Sequence, residues 1–526
     1  MEFFMKRQKW GSKLGVVMAV AGSAVGLGNF LRFPGQAAAN GGGAFMIPYF
    51  IALILLGIPL MWIEWTVGSY GGLFGHGTAP GMFHEMTKNR FIKYFGIIGI
   101  FGPVVIFIYY TYIESWLLGY AFFTAKGTLM EAARQGEASV QTFLSGYQGI
   151  EKNAYFNSLW PAFFFFLITF FLNMIVIYGG IKGGIERLAK FAMPTLLIMA
   201  VIIAVRVVTL GTPDPAFPDR SFLNGLGFLW NPDFSKLADV DVWLAASGQI
   251  FFTLSVGIGV ILTYASYLSK GDDVTLSGLS AVSTNEFAEV ILGGTIVIPA
   301  AFIFLGTEGV SKVMTSLFNL GFVTMPLILA KLPFGGFFAF LWFFLLFLAG
   351  LTSSVSLIQP AVSFMEDEFS LNRIKSVWII GIVTFTSCLP GILWLKYGVV
   401  DELDFWGGTF GLVLFATIET IVFGWVFGIE NAWDELHSGS DFRIPTIFKY
   451  IIKYVTPTYL LVLLGVWFYQ KFWGVIIMQD VPPENKPYIL FTRLFLLALL
   501  LILVILVKVA WHPERQAIKK ARKGIE

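Results

Sequence analysis

The chain has 526 residues, 56% of them hydrophobic and 13% charged, with a formal net charge of +2. Soluble domains carry about twice that share of charge, so an ordinary soluble enzyme is excluded and an integral membrane protein is implied. One cysteine, Cys388, rules out an intrachain disulfide, and four scattered histidines offer no metal-ligand cluster.

From the N-terminus, "MEFFMKRQKWGSK" is basic and amphipathic, and no small-residue cleavage site follows, so no cleavable signal peptide is expected. Apolar runs of about 20 residues or more then recur, which fits α-helical spans and not the short strands of a barrel. Twelve spans are expected, at 13–38, 43–70, 92–125, 160–179, 188–210, 243–268, 277–306, 338–368, 375–395, 403–427, 447–473 and 486–510. With this division 22 of the 35 Lys and Arg lie on the side of the N-terminus, including "KRQKWGSK", "KNRFIK", "KGGIERLAK" and the tail "KKARKG". The positive-inside rule then puts both termini in the cytoplasm of a multi-pass protein of the inner (plasma) membrane. The loops at 126–159 and 210–242, the second with three prolines in "TPDPAFPD", are expected as extracellular caps.

Span 1 contains "AGSAVGLGNFLRFP", residues 21–34. Lipid cannot satisfy a guanidinium or exposed backbone, so this stretch must face protein or water. "GSAVG" alone would suit close helix packing, and "GLGNF" follows no strand that would make it a dinucleotide loop. Packing does not need Asn29 and Arg32 beside those glycines. Span 6, "GQIFFTLSVGIGVILTYASY", is weakened in the same way at Gly257 and Gly259. Interruptions five spans apart point to a 5+5 inverted repeat of broken-helix type, with the site between the repeats. The division is then 1–242 (N-terminal tail, spans 1–5 and an outer loop), 243–427 (spans 6–10) and 428–526 (spans 11 and 12 and a cytoplasmic tail).

A broken helix frees carbonyls at the end of one half and N–H groups at the start of the next, which suit cations and anions respectively. Side-chain oxygens at the same depth would complete a cage for a hard cation. Asn29, Thr253, Ser255, Asn285 and the run "AGLTSS" from Ala349 to Ser354 supply them. Serine and threonine commonly bond back to their own helix, so the two buried amides are the sharper signal.

Eight stretches, "GSAVGLGNFLRFP", "NGGGAFMIPY", "IPLMWIEW", "IYYTYIESW", "GQIFFTLS", "NEFAEVILGG", "FLAGLTSS" and "DFWGGT", resemble the neurotransmitter:sodium symporter family. The resemblance runs from about residue 7 into span 12. It implies two sodium sites. The first would use the Ala24 carbonyl, Asn29, Thr253, Asn285 and the carboxylate of the substrate. The second would use carbonyls of Gly22, Val25 and Ala349 with the hydroxyls of Thr352 and Ser353. The substrate pocket would be Ser23, Ala24, Gly26, Ile106, Tyr110, Phe252, Thr253, Ser255, Ile258, Ser353 and Leu357, with Tyr110 and Phe252 closing over it. Arg32 with Asp404 would gate the outer side. Arg7 with Asp367 would gate the cytoplasmic side, surrounded by Trp10, Ser266 and Tyr267. Glu64 and Glu114 are read as buried structural carboxylates satisfied by backbone. The resemblance also admits a homodimer.

Amine-transporting relatives carry an acidic residue at the position of Gly26. Without that charge the substrate must bring its own carboxylate, so that both ends of a buried zwitterion are paired. Ile106, Ile258 and Leu357 leave apolar space, and the expected substrate is a neutral, hydrophobic α-amino acid. Ser23 and Ile258 depart from the asparagine and phenylalanine of the family pattern, and Ile106 stands in for valine, so pocket size stays open. Animal members need chloride beside the first sodium, held by a serine. Glu289 occupies that position here, one turn after Asn285 on the same helix face, and would make chloride unnecessary. The expected function is sodium-coupled amino-acid symport by alternating access, with no covalent chemistry. A channel would need a continuous polar lining, an enzyme a nucleophile–base or metal set. A non-transporting amino-acid sensor of the same fold is the remaining alternative.

Overall fold

The computed structural model describes residues 7–313 and 317–513; the "KKARKG" tail lies outside them. Among the described residues the architecture is all-α, and each of the twelve expected spans coincides with helix. Ten helices are long and apolar enough to cross a bilayer: Gly43–Leu73, Ile92–Ala125, Trp160–Tyr178, Ile181–Val208, Val274–Thr307, Gly335–Phe369, Arg373–Leu393, Val399–Val426, Ile447–Gln470 and Lys486–Ala510. The other two spans are broken. Span 1 runs as Lys13–Ala24 and Gly28–Ala39, bent by 47°. Span 6 runs as Val240–Leu254 and Val260–Ala265.

The residues at the breaks explain them. Span 6 stops because Ser255, Gly257 and Gly259 take left-handed backbone, with φ of 54°, 73° and 94°. Two glycines adopt this at little cost; a continuing helix cannot. At Gly259 close approach adds a second demand, since a Cβ would collide with the backbone of Gly99 in span 3. The second half of span 1 opens with a π-helical turn, Gly28–Arg32, and span 7 carries another at Phe287–Gly293. The two turns meet: a Cβ on Gly293 would strike the carbonyl oxygen of Asn29.

The two long loops hold helices that an apolar-run reading does not reveal. Thr128–Gln135 and Glu137–Tyr147 occupy the 126–159 loop, and the second packs Phe143 edge-on against Tyr120 of span 3 at 5.5 Å. Phe222–Trp230 occupies the 210–242 loop and lies on span 7, with Phe228 6.4 Å from Phe302. On the opposite side, Ala79–Thr87 follows span 2.

Gly259→Ala is expected to cost about 1–3 kcal/mol through forced positive φ and backbone collision. It should lower the melting temperature of the purified protein clearly. Gly183→Ala, where nothing lies within 4 Å and φ is ordinary, should leave it unchanged.

Candidate functional site

The two breaks face each other across the middle of the bundle. The hydroxyls of Ser255 and Ser353 both donate to the carbonyl of Ser23, at 3.0 and 3.1 Å. Between the breaks lies a cavity of about 50 Å³. Its wall includes Ser23, Ala24, Gly26, Ile106, Tyr110, Phe252, Ser255, Ile258, Ser353 and Leu357, all expected from the sequence. Leu27, Gly28, Ser356, Gly408 and Leu412 complete it. None of these side chains is charged. Ser356 escaped notice because a serine three residues past Ser353 reads as helix-internal; here its hydroxyl meets that of Ser23 at 2.6 Å. Gly26 is tightly framed, since a Cβ would sit 3.0 Å from Ser353 Oγ and 3.3 Å from the Tyr110 hydroxyl.

Thr253 is a correction. It does not line the cavity, because its hydroxyl is turned into a polar cluster behind the wall. There Asn29 Nδ2 donates to Asn285 Oδ1 at 2.8 Å, Glu289 Oε2 at 3.0 Å and Thr253 Oγ1 at 3.2 Å. Asn285 Nδ2 donates to the same threonine hydroxyl at 3.0 Å, and that hydroxyl donates to Glu289 Oε2. The amide oxygen of Asn29 caps the N–H of Gly26 in the break at 2.8 Å. Three spans thus bring Asn29, Thr253, Asn285 and Glu289 into contact, all buried. Two members were not foreseen. Gln249 Nε2 donates to Glu289 Oε1 at 2.9 Å, and the Tyr49 hydroxyl lies 3.0 Å from the same oxygen. A tyrosine and a glutamine in apolar helices carry no local signal of such a role.

The second oxygen set lies where spans 1 and 8 cross. A Cβ on Gly22 would come 3.4 Å from Thr352 Cβ, so the glycine lets the helices approach. The Thr352 hydroxyl donates to the Ala349 carbonyl at 3.1 Å, and the Ser353 oxygen lies 3.0 Å from that carbonyl, an alternative acceptor to Ser23 for its one proton. Val25, whose N–H still bonds to Ala21, ends the first half-helix beside them.

The two expected gates differ. On the N-terminal side Arg7 Nη2 pairs with Asp367 Oδ2 at 3.3 Å and donates to Ser266 Oγ at 2.8 Å. The guanidinium stands 4.9 Å over the ring of Tyr267, and Trp10 Nε1 donates to the Tyr264 carbonyl at 2.9 Å. On the opposite side Arg32 and Asp404 form no direct ion pair. Arg32 lies 4.6 Å over the ring of Phe252 and donates to the Gly248 carbonyl at 3.1 Å, while Asp404 accepts from Tyr109. A ring face and a carbonyl hold the guanidinium where the carboxylate was expected. Glu64 accepts the backbone N–H of Gly257, as expected. Glu114 departs from expectation: its partner is the side-chain amide of Asn173, at 3.4 Å, which Ser354 orients from span 8.

The family model described as the Sodium:neurotransmitter symporter family matches residues 7–132 and 160–512. The chain belongs to this family. It is therefore a multi-pass membrane transporter that uses sodium. An uncharacterised sodium-dependent transporter of Methanocaldococcus jannaschii is 30% identical over 86% of this chain and 89% of its own length. Sodium-dependent nutrient amino acid transporter 1 of Drosophila willistoni is 25% identical over 87% of this chain and 77% of its own. The crystal structure of MhsT in complex with L-phenylalanine aligns with a TM-score of 0.74 at 28% identity, covering 87% of this chain and 99% of MhsT.

Asn29→Ala removes the hub of the polar cluster and the cap on Gly26 together. Sodium titration of the melting temperature should show apparent sodium affinity falling at least about tenfold, the loss of one or more buried polar contacts.

Proposed function

We propose that this protein is a sodium-coupled symporter of neutral, hydrophobic α-amino acids that works by alternating access and needs no chloride. One observation carries the reading: an uncharged, largely apolar cavity opens onto both broken helices, directly beside the Asn29–Thr253–Asn285–Glu289 cluster. The substrate carboxylate would meet a first sodium held by the Ala24 carbonyl, Asn29, Thr253 and Asn285, and the N–H groups opening the second half of span 1. Its ammonium would meet carbonyls closing the first halves of spans 1 and 6. Its side chain would lie among Ile106, Ile258, Leu357 and Leu412. A second sodium would sit between spans 1 and 8 on carbonyls of Gly22, Val25 and Ala349 with Thr352 and Ser353. MhsT, which binds L-phenylalanine, supports the substrate class.

Arg7–Asp367 serves in this reading as the cytoplasmic, inner gate and Arg32 with Asp404 as the outer one. Their unequal closure supports a carrier that seals one side at a time. Each sodium entering down 100 mV gains about 2.3 kcal/mol, so two would sustain roughly three decades of substrate gradient. The fixed carboxylate of Glu289 supplies the negative charge that chloride supplies in animal members.

Uptake into proteoliposomes across the twenty amino acids should rise with an inward sodium gradient for apolar substrates. Equal uptake with potassium would overturn the proposal, and binding without counterflow would favour the sensor. Gly26→Asp should weaken amino-acid binding about a hundredfold or more, since its carboxylate competes with that of the substrate in a dry site. Replacing chloride by gluconate should leave wild-type uptake intact, while Glu289→Ser should become chloride-stimulated. Wild-type uptake that stops without chloride would refute the role given to Glu289.

A further inference from the structure

The connection after span 2 bears directly on the N-terminal-side gate. Gly77 lies so close to it that a Cβ would collide with Ser363 Oγ, Asp367 Oδ2 and Arg7 Nη2. Only bare backbone fits there, and bare backbone has no side chain to anchor it. The preceding residue can. His76 is buried, and its Nδ1 lies 2.5 Å from Glu368 Oε1 while its Nε2 lies 3.8 Å from Glu85 Oε1. Glu368 follows Asp367 directly in span 8. The imidazole stacks on Trp511, just past span 12, with ring centres 5.9 Å apart and planes 17° apart. Position 81 is glycine where a Cβ would strike the same imidazole.

We propose that His76 is a positioning residue of the inner gate. Held by Glu368, Glu85 and Trp511, it keeps Gly77 wedged against the Arg7–Asp367 pair, and so ties the last span to the gate. The inference rests on Arg7–Asp367 acting as that gate.

The clamp is built to respond to pH. Among the described residues, the groups around the imidazole include Glu368 from span 8, Glu85 and His84 from Ala79–Thr87, and Trp511 with Lys93 5.2 Å over its ring. Glu85 stays ionised throughout the physiological range, its carboxyl pushed down to about 2 by His76 first and by Lys88 against the opposing effect of burial. A doubly protonated imidazole donates to Glu368 and carries a positive charge that attracts Glu85 at 3.8 Å, whereas the neutral ring keeps one N–H and no charge. The wedge is therefore tightest at low pH and loosens as pH rises through the imidazole titration.

The test is single-molecule FRET across the N-terminal side of the full chain in nanodiscs, from about pH 5.5 to 8.5. Asp367→Asn comes first and must raise the inward-open fraction; if it does not, the gate reading itself fails. His76→Ala should raise that fraction about tenfold at the acid end, as expected for losing a charge-assisted hydrogen bond, and abolish its pH dependence. His76→Gln, which can still donate to Glu368, should recover most of the closure but with a flat pH profile. Trp511→Ala should shift the fraction in the same direction as His76→Ala, and gives a second route if that variant fails to fold. An effective Asp367→Asn combined with a pH-independent wild type, or with His76→Gln that titrates like wild type, would overturn the role of His76 alone.

Discussion

A bilayer core offers no hydrogen bonds, so a backbone group freed where spans 1 and 6 break must find its partner inside the bundle or in the cavity that it lines. This constraint organises the centre of the molecule. The N–H of Gly26 is taken by Asn29, the N–H of Gly257 by Glu64 of span 2, and the carbonyl of Ser23 by hydroxyls from spans 6 and 8. Each break therefore recruits neighbouring spans. Those spans arrive with their polar side chains already aimed at the place where the helices stop.

Burial of polar groups is the second demand, and it shapes the cluster behind the cavity. Glu289 is fully buried, yet both its oxygens are engaged, one by Asn29 and Thr253 and the other by Gln249 and Tyr49. No arginine or lysine pairs with it directly. Polar donors compensate a buried carboxylate only in part, and a nearby cation would complete the balance. The same side chains then serve two purposes, holding the break together and keeping both oxygens of the buried Glu289 partnered.

The periphery follows different rules. The helices of the two long loops are short, and they pack aromatic side chains onto spans 3 and 7. Arg493 of span 12, paired with Glu402 beside the start of span 10, likewise joins an accessory helix to the repeat core. Such contacts join elements far apart in the chain, and no local periodicity announces them.

The sequence by itself determined the class, the twelve spans with ends mostly within a few residues, and the positions of both breaks. Long apolar runs have one solution in lipid, and paired glycines beside polar residues have few. Through the family resemblance it also carried ten of the fifteen residues of the cavity wall, because the motif residues are dense and local. Only the tertiary structure decided that Thr253 turns from the cavity toward Glu289, that Tyr49 and Gln249 complete that cluster, and that Glu114 leans on Asn173. Only it separated Arg32 from Asp404, while Arg7 and Asp367 pair as the family resemblance implied. These are matters of which side chains meet across spans. A helix periodicity tells which face a residue occupies, but the rotation and depth of the facing helix decide its partner.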